Sequence, residues 1–340
     1  MSDSVRLKLG FSLLTLLVGG AFVLSIGWGG VAITPTEVLA ILGKQVGITT
    51  DVPFTMQQEG TLIAIRLPRV LLAGLGGAGF ALAGVALQAA LRTPLADPQL
   101  TGLASGATFG AVLAIVFGIS SVSLWWQPVL AAAGAIGTAG LLLWLYTHLE
   151  ARAFLLSGIV LNVFFAALIA IIILASRAPG LHDANFWNLG SFGGAMWPQV
   201  RVAAPLVIAL VAALAFTAPV LNILQLGDQA AYHLGVNVPL VRVVLLLLTA
   251  CLVGALVAFS GVLGIIGLAL PFVMRAVFGA DHRRLIPANL LGGAAVVMAL
   301  DAVARNAVSP MEIPIGVLTT VLGAPVLMHL LIREGKREHA

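Results

Sequence analysis

Charge is scarce in this 340-residue chain, which holds 17 Lys and Arg and 13 Asp and Glu, 9% of the total. A soluble globule carries roughly 25% charged residues, so the deficit excludes a cytosolic enzyme, a disordered chain and a nucleic-acid binder. Cysteine is nearly absent. The single Cys251 cannot close an intrachain disulfide and lies in an apolar run, so it says little about redox compartment. There is no low-complexity tract, no soluble linker and no convincing short repeat. No G-x-x-x-x-G-K-[ST] occurs, so the chain does not itself cradle ATP in a P-loop. The histidines (His148, His182, His233, His282, His329 and His339) lack the spacing of a metal site, and no Ser–His–Asp set follows from their positions. Catalysis has almost no support.

What abounds is hydrocarbon. Hydrophobic residues make up 60%, about 204 positions, enough for around ten crossings at about 20 apolar residues each. Hydropathy predicts spans at about 9–32, 68–91, 99–118, 125–147, 153–175, 199–219, 239–260, 262–278, 286–306 and 314–333. The chain therefore reads as one all-α integral membrane domain, residues 1–340, with about ten transmembrane helices. Arg6 and Lys8 precede the first stretch as they would a secretory signal. That stretch runs from Leu9 to Ala32 without a clear small-x-small cleavage site, which suits a retained spanning helix. Ten spans put both termini on one side. Eleven of the 17 cations fall there, led by the runs Asp281-His282-Arg283-Arg284 and Arg333 to Arg337. The positive-inside bias then predicts cytoplasmic termini, and the net charge of +4 describes loops rather than a basic binding face.

Glycine, at 38 residues, lies largely inside the spans. Gly102, Gly106 and Gly110 recur at every fourth position and are expected to line one helix face, where small residues let backbones approach in lipid. Gly74 to Gly79 fits G-x-G-x-x-G, with Asp97 near the distance of a ribose-binding acid. It sits within an apolar span rather than after a strand, so packing is its reading.

Three hydrophilic islands remain. Arg66-Leu67-Pro68-Arg69 opens the second span on the outer side. Its guanidinium groups either point outward to pair with carboxylates of a docking protein or snorkel into lipid head groups. Arg92-Thr93-Pro94-Leu95-Ala96-Asp97-Pro98 forces irregular backbone, tolerated at membrane depth only against protein or a watery cavity, unless it is a plain cytoplasmic turn. Residues 221–236 read as a short amphipathic helix bounded by Gly227 and Gly235 on the cytoplasmic side. Such a helix lies on the membrane or inserts into a partner's groove, and its few cations disfavour the membrane.

Arg66 to Arg69, Ala83-Gly84-Val85-Ala86-Leu87-Gln88 and Pro94 to Pro98 with Gly102 open a series of motifs. It continues through Leu226-Gly227-Asp228 to Leu234-Gly235-Val236, Gly264-Ile265-Ile266-Gly267-Leu268 with Pro271, and Asp281 to Arg284. Asp301 to Arg305, Glu312 to Gly316 and Gly323-Ala324-Pro325 complete it. In this order, over roughly residues 60 to 333, the series resembles the permeases for iron chelates, haem and cobalamin, the membrane subunits of type II ABC importers. Two positions depart from the family: Thr93 stands where Asn is usual, and Phe272 where His is usual.

The resemblance implies a coupling helix in the 221–236 region, with Leu226, Gly227, Asp228, Leu234 and Gly235 at the contact with a cytoplasmic ATPase dimer. It implies that Arg66, Arg69 and Arg305 dock acidic residues of a substrate-binding protein, and that Thr93, Pro94 and Leu95 lie near an inner gate. A second permease copy, making a homodimer, would complete one central pathway. No intrinsic cofactor or metal is implied; ATP and Mg would be held by the ATPase. Arg177, at the outer end of the fifth span, either guides an anionic chelate into the mouth or anchors the helix end. Haem leads among the expected cargoes, ahead of ferric siderophore and cobalamin. The alternative is an ion-coupled secondary transporter, for which Asp301 is the candidate acid.

Overall fold

The computed structural model describes residues 3–48, 51–148, 151–176, 189–308 and 311–338. Within them every regular element is helical, apart from an isolated bridge between Val308 and Met311. In chain order the helices are α1 (Asp3–Gly27), α2 (Pro35–Gln45), α3 (Met56–Gly60), α4 (Leu67–Leu91), α5 (Leu103–Val116), α6 (Ile119–Val122), α7 (Trp126–His148) and α8 (Ala151–Ala175). There follow α9 (Trp197–Phe216), α10 (Ala218–Leu224), α11 (Asp228–His233), α12 (Val238–Ser260), α13 (Ile266–Phe278), α14 (His282–Asn306) and α15 (Ile315–Glu338).

Each expected span falls on an apolar helix. Seven are long and apolar enough to cross a membrane, while α5, α13 and the apolar part of α15 are shorter. The largest boundary error concerns the second span, expected to open at Pro68. The helix instead runs unbroken from Met56 to Leu91 through a π-helical turn at Thr61–Arg66. Proline inside a helix lacks an N–H and clashes with the carbonyl four residues back. A wider turn just before Pro68 relieves that conflict without ending the helix. The short helices α2, α3 and α6 were not anticipated, although the caps of the first two were legible. Thr34 with Glu37 and Thr55 with Gln58 each form a capping box, satisfying the first free N–H groups of α2 and α3.

The long helix containing α4 is the axis of the bundle. Its apolar window is 78% buried, against 17% for α8, which lies on the periphery. Helices α14, α12, α13 and α9 all pack on α4, and glycine is what lets them. A Cβ on Gly77 would overlap the carbonyl of Gly293 in α14, and one on Gly84 would overlap that of Gly267 in α13. The dinucleotide-like glycine string is thus a packing face. Gly106 and Gly110 likewise meet α7 at Gly134 and Leu130. Gly102 departs from the expected stripe: it precedes α5 in the left-handed region at φ 82° and faces Leu161.

Consecutive spans alternate in direction, which sorts the polar residues to two ends. One end gathers Ser25, Arg66, Arg69, Asp301, Arg305 and Glu312; the other gathers Gln88, Arg92, Asp228, Arg242, Arg275 and His282. This is the partition that the span count requires. Because backbone meets backbone at Gly84, we expect Gly84→Val to destabilise the fold by more than the about 1–3 kcal/mol usual for overpacking. Thermal unfolding in detergent reads this directly, and an unchanged midpoint would contradict the crossing.

Candidate functional site

Helix α1 stops at Gly27, leaving carbonyls without helical partners. Arg66 supplies them: Nη1 donates to Ile26 O at 2.7 Å and Gly27 O at 2.9 Å, and Nη2 donates to Val31 O. Gly29 leaves room for that guanidinium, which a Cβ there would meet. Arg69 makes two forks. Nε and Nη2 donate to Asp301 of α14 at 2.9 and 3.0 Å, and Nη1 and Nη2 to Glu312 at 2.8 and 3.0 Å. Arg305 donates to Ser25 O and lies 3.3 Å from Ser25 Oγ.

The outward presentation expected of these arginines is therefore corrected. Arg66 is 4% exposed and Arg69 7%, so neither points into solvent nor snorkels into lipid. Asp301 is 1% exposed, and a buried carboxylate and guanidinium each need the other. In a chain with only 13 acids, Asp301 and Glu312 on the same side were the available signal. The structure does bring Arg66, Arg69 and Arg305 to one end, where Arg69 clasps both carboxylates while Arg66 and Arg305 bond to the last turn of α1 and the chain beyond it.

At the opposite end, residues 221–236 form two helices rather than one. Gly227 at φ 105° and Gly235 at φ 81° turn the chain on either side of α11. Asp228 opens α11 and accepts from Arg242 Nη2 at 3.2 Å, with Arg92 Nη1 at 3.5 Å. Arg242 also donates to Ala90 O at 2.8 Å and stacks over Tyr146, 4.5 Å from the ring centre. With Ala231 fully buried, Leu226, Tyr232 and Leu234 remain 65%, 74% and 59% exposed. A pinned helix thus presents apolar side chains at the polar end of the bundle.

The segment after α4 begins at Arg92, whose φ of 53° ends the helix in the left-handed region. Thr93 Oγ1 accepts from the Leu95 N–H at 3.4 Å, while Pro94 is exposed and Leu95 half-buried. Asp97 then turns inward: Oδ1 accepts from the Gln99 N–H at 2.7 Å and the Leu100 N–H at 3.3 Å. Its Oδ2 is buried without a partner against Gly267. Burial pushes this carboxyl up to about 7, and the two backbone donors oppose the rise. Phe272 is buried, a position that suits an apolar ring. Arg177 lies outside the described residues. No group of three or more potential metal ligands occurs among the described residues.

An all-helical bundle with apolar spans and two polar ends defines a multi-pass membrane protein, and comparison with known proteins places it further. The model of the FecCD transport family matches residues 14–333. The hemin transport system permease protein HmuU of Yersinia pestis is 40% identical over 275 residues, 79% of this chain and 82% of that protein. The vitamin B12 import system permease protein BtuC of Salmonella typhi is 36% identical over 334 residues, covering 98% and 97%. A solved structure described as the inward-facing conformation of a transporter assigned to the metal-chelate ABC type superposes with a TM-score of 0.81. It is 32% identical and covers 96% of this chain and 99% of its own. The chain belongs to the FecCD transport family and has the fold of a type II ABC importer permease.

Asp97 yields a pH test. Its folded value lies above the ordinary 3.8, so its contribution to stability is complete below about pH 4 and is lost as pH rises through about 7. Asp97→Asn removes the charged form while keeping an acceptor. We expect the variant to unfold several degrees above wild type at about pH 8 and to match it at or below about pH 4. Equal midpoints at both would show that Asp97 is not charging in a buried site.

Proposed function

We propose that this chain is the permease subunit of an ATP-driven importer in the inner membrane, carrying a metal chelate from a binding protein to the cytoplasm. The observation that carries the reading is α11, pinned by Asp228 with Leu226, Tyr232 and Leu234 left exposed. An apolar face held rigid at a polar end needs a groove, and a cytoplasmic ATPase dimer provides one in a transporter of this class. Gly227 and Gly235 supply the turns that set α11 apart. ATP and Mg stay with that ATPase, and the permease is not itself an enzyme. On this reading α11 and both termini face the cytoplasm.

The binding protein lands on the arginine end. Arg66, Arg69 and Arg305 outnumber Asp301 and Glu312, so this end keeps a positive field even though its guanidiniums are internally bonded. Thr93, Pro94 and Leu95 form the inner gate region between α4 and α11. A second copy of the chain closes the pathway, consistent with the exposed faces of α8 and α15, where Val160, Val163, Val321 and Met328 lie bare. Haem is the proposed cargo, since a relative at 40% identity is a hemin permease; siderophore and cobalamin complexes follow. Arg177 is proposed to draw the anionic groups of the chelate into the mouth. The ion-coupled alternative loses its candidate acid, because Asp301 is neutralised by Arg69.

Leu226→Asp and Leu234→Asp test the reading. We expect both to abolish co-purification with the ATPase, and to abolish haem uptake in proteoliposomes that also hold the binding protein. Wild-type assembly and substrate-stimulated ATP hydrolysis in both variants would contradict it.

A further inference from the structure

Beside α11 a cavity of about 390 Å³ opens between the C-terminal ends of α4 and α13 and the turn that follows α10. Its polar lining is Gln88, Arg92, Thr93, Gln225, Arg275 and His282, and among the described residues no Asp or Glu lines it. The groups that meet there are overwhelmingly donors. Arg92 shares the one carboxylate of Asp228 with Arg242, so that acid serves two guanidiniums. Arg275 Nη2 donates to Gln88 Oε1 at 3.0 Å. This fixes the amide so that Nε2 is its donor end, and that atom is buried with no partner.

His282 adds a second orphan. Its side chain is fully buried, and Nδ1 lies 3.1 Å from Gln225 Nε2 and 2.9 Å from Asn222 Oδ1. Nε2 has no partner. Asn222 donates Nδ2 to Asp281 Oδ1 at 2.7 Å, which turns its Oδ1 to His282, so Nδ1 carries the ring proton and Nε2 is an acceptor. Buried polar groups left unpaired are costly and uncommon. The orphan donor is Gln88 Nε2, and on a cavity lined by two arginines and no acid it calls for an anion.

We propose that this cavity binds a phosphate-bearing anion, held by Arg92, Arg275 and the Gln88 amide, which ties the Thr93–Pro94 segment to the turn before α11. Phosphate suits the lining better than a single carboxylate, because its oxygens can serve donors arriving from several elements and match the planar forks of arginine. The volume admits more than a lone carboxylate. Inorganic phosphate and the head group of an anionic phospholipid share this chemistry. The inference rests on the cavity alone and stands whether or not α11 meets an ATPase.

The test uses the purified full chain. Its unfolding midpoint is measured in detergent with phosphate against chloride at equal ionic strength, and in vesicles of phosphatidylglycerol against phosphatidylcholine. Arg92→Asn, which tolerates the left-handed backbone there, and Arg275→Gln are measured alongside. With phosphate at roughly ten times its dissociation constant, the wild-type midpoint should rise by about 2 °C, and each variant should lose most of that rise. A rise with phosphatidylglycerol alone, again lost in the variants, assigns the site to a lipid head group. No wild-type rise in either medium, or rises that persist undiminished in both variants, would overturn the proposal.

Discussion

The twofold fork of Arg69 is the interaction on which the rest of the structure depends. In an apolar medium a lone guanidinium is expensive, and a lone buried carboxylate no less so. Arg69 meets Asp301 and Glu312 together, joining α4 to α14 and to the segment that leads into α15. That clamp fixes how α4 and α14 cross at this end. Farther along the same two helices Gly77 meets Gly293 with no side chain between them. A crossing this close tolerates little sliding, so the ion pair and the glycines specify one register jointly.

The opposite end repeats the device with different geometry. Asp228 lies between Arg92 and Arg242, and Arg242 reaches Ala90 O at the close of α4. Helix α4, Leu67 to Leu91, therefore carries a charged clamp near each end. A change in the position of α11 moves the partner of both Arg242 and Arg92, and Arg92 leads directly into Thr93, Pro94 and the buried Asp97. Motion at α11, the proposed coupling helix, thus has a short covalent and electrostatic route to the proposed gate. ATP acts in this scheme by favouring one arrangement of the two ends over the other, which is all a ligand can do.

Much of this was legible in the residues. Apolar runs located each long helix, the span count separated Arg66, Arg69 and Arg305 from Arg92, Arg242 and Arg275, and Gly227 and Gly235 marked the turns around α11. The direction of Arg66 and Arg69 was not legible, because it depends on partners far along the chain: Asp301 lies 232 positions from Arg69. Pairing across that distance is a tertiary event that no local pattern records. Pro68 misled for a local reason, since proline normally opens a helix and here a π-helical turn carries the helix through it. Gly102 misled because its spacing matches a helical stripe while its backbone is left-handed. The caps at Thr34 and Thr55 were readable, yet apolar spans dominate the eye in so hydrophobic a chain.

The account turns on Arg69 and Asp301 acting as one unit rather than as separate surface charges. A double-mutant cycle with Arg69→Met, Asp301→Leu and the pair together, read by equilibrium unfolding in detergent, measures this directly. Each single change should cost roughly 3–5 kcal/mol by leaving a buried charge alone, and the double should cost at least about 2 kcal/mol less than their sum. Single effects that add to within about 0.5 kcal/mol would show two independent residues and contradict the clamp.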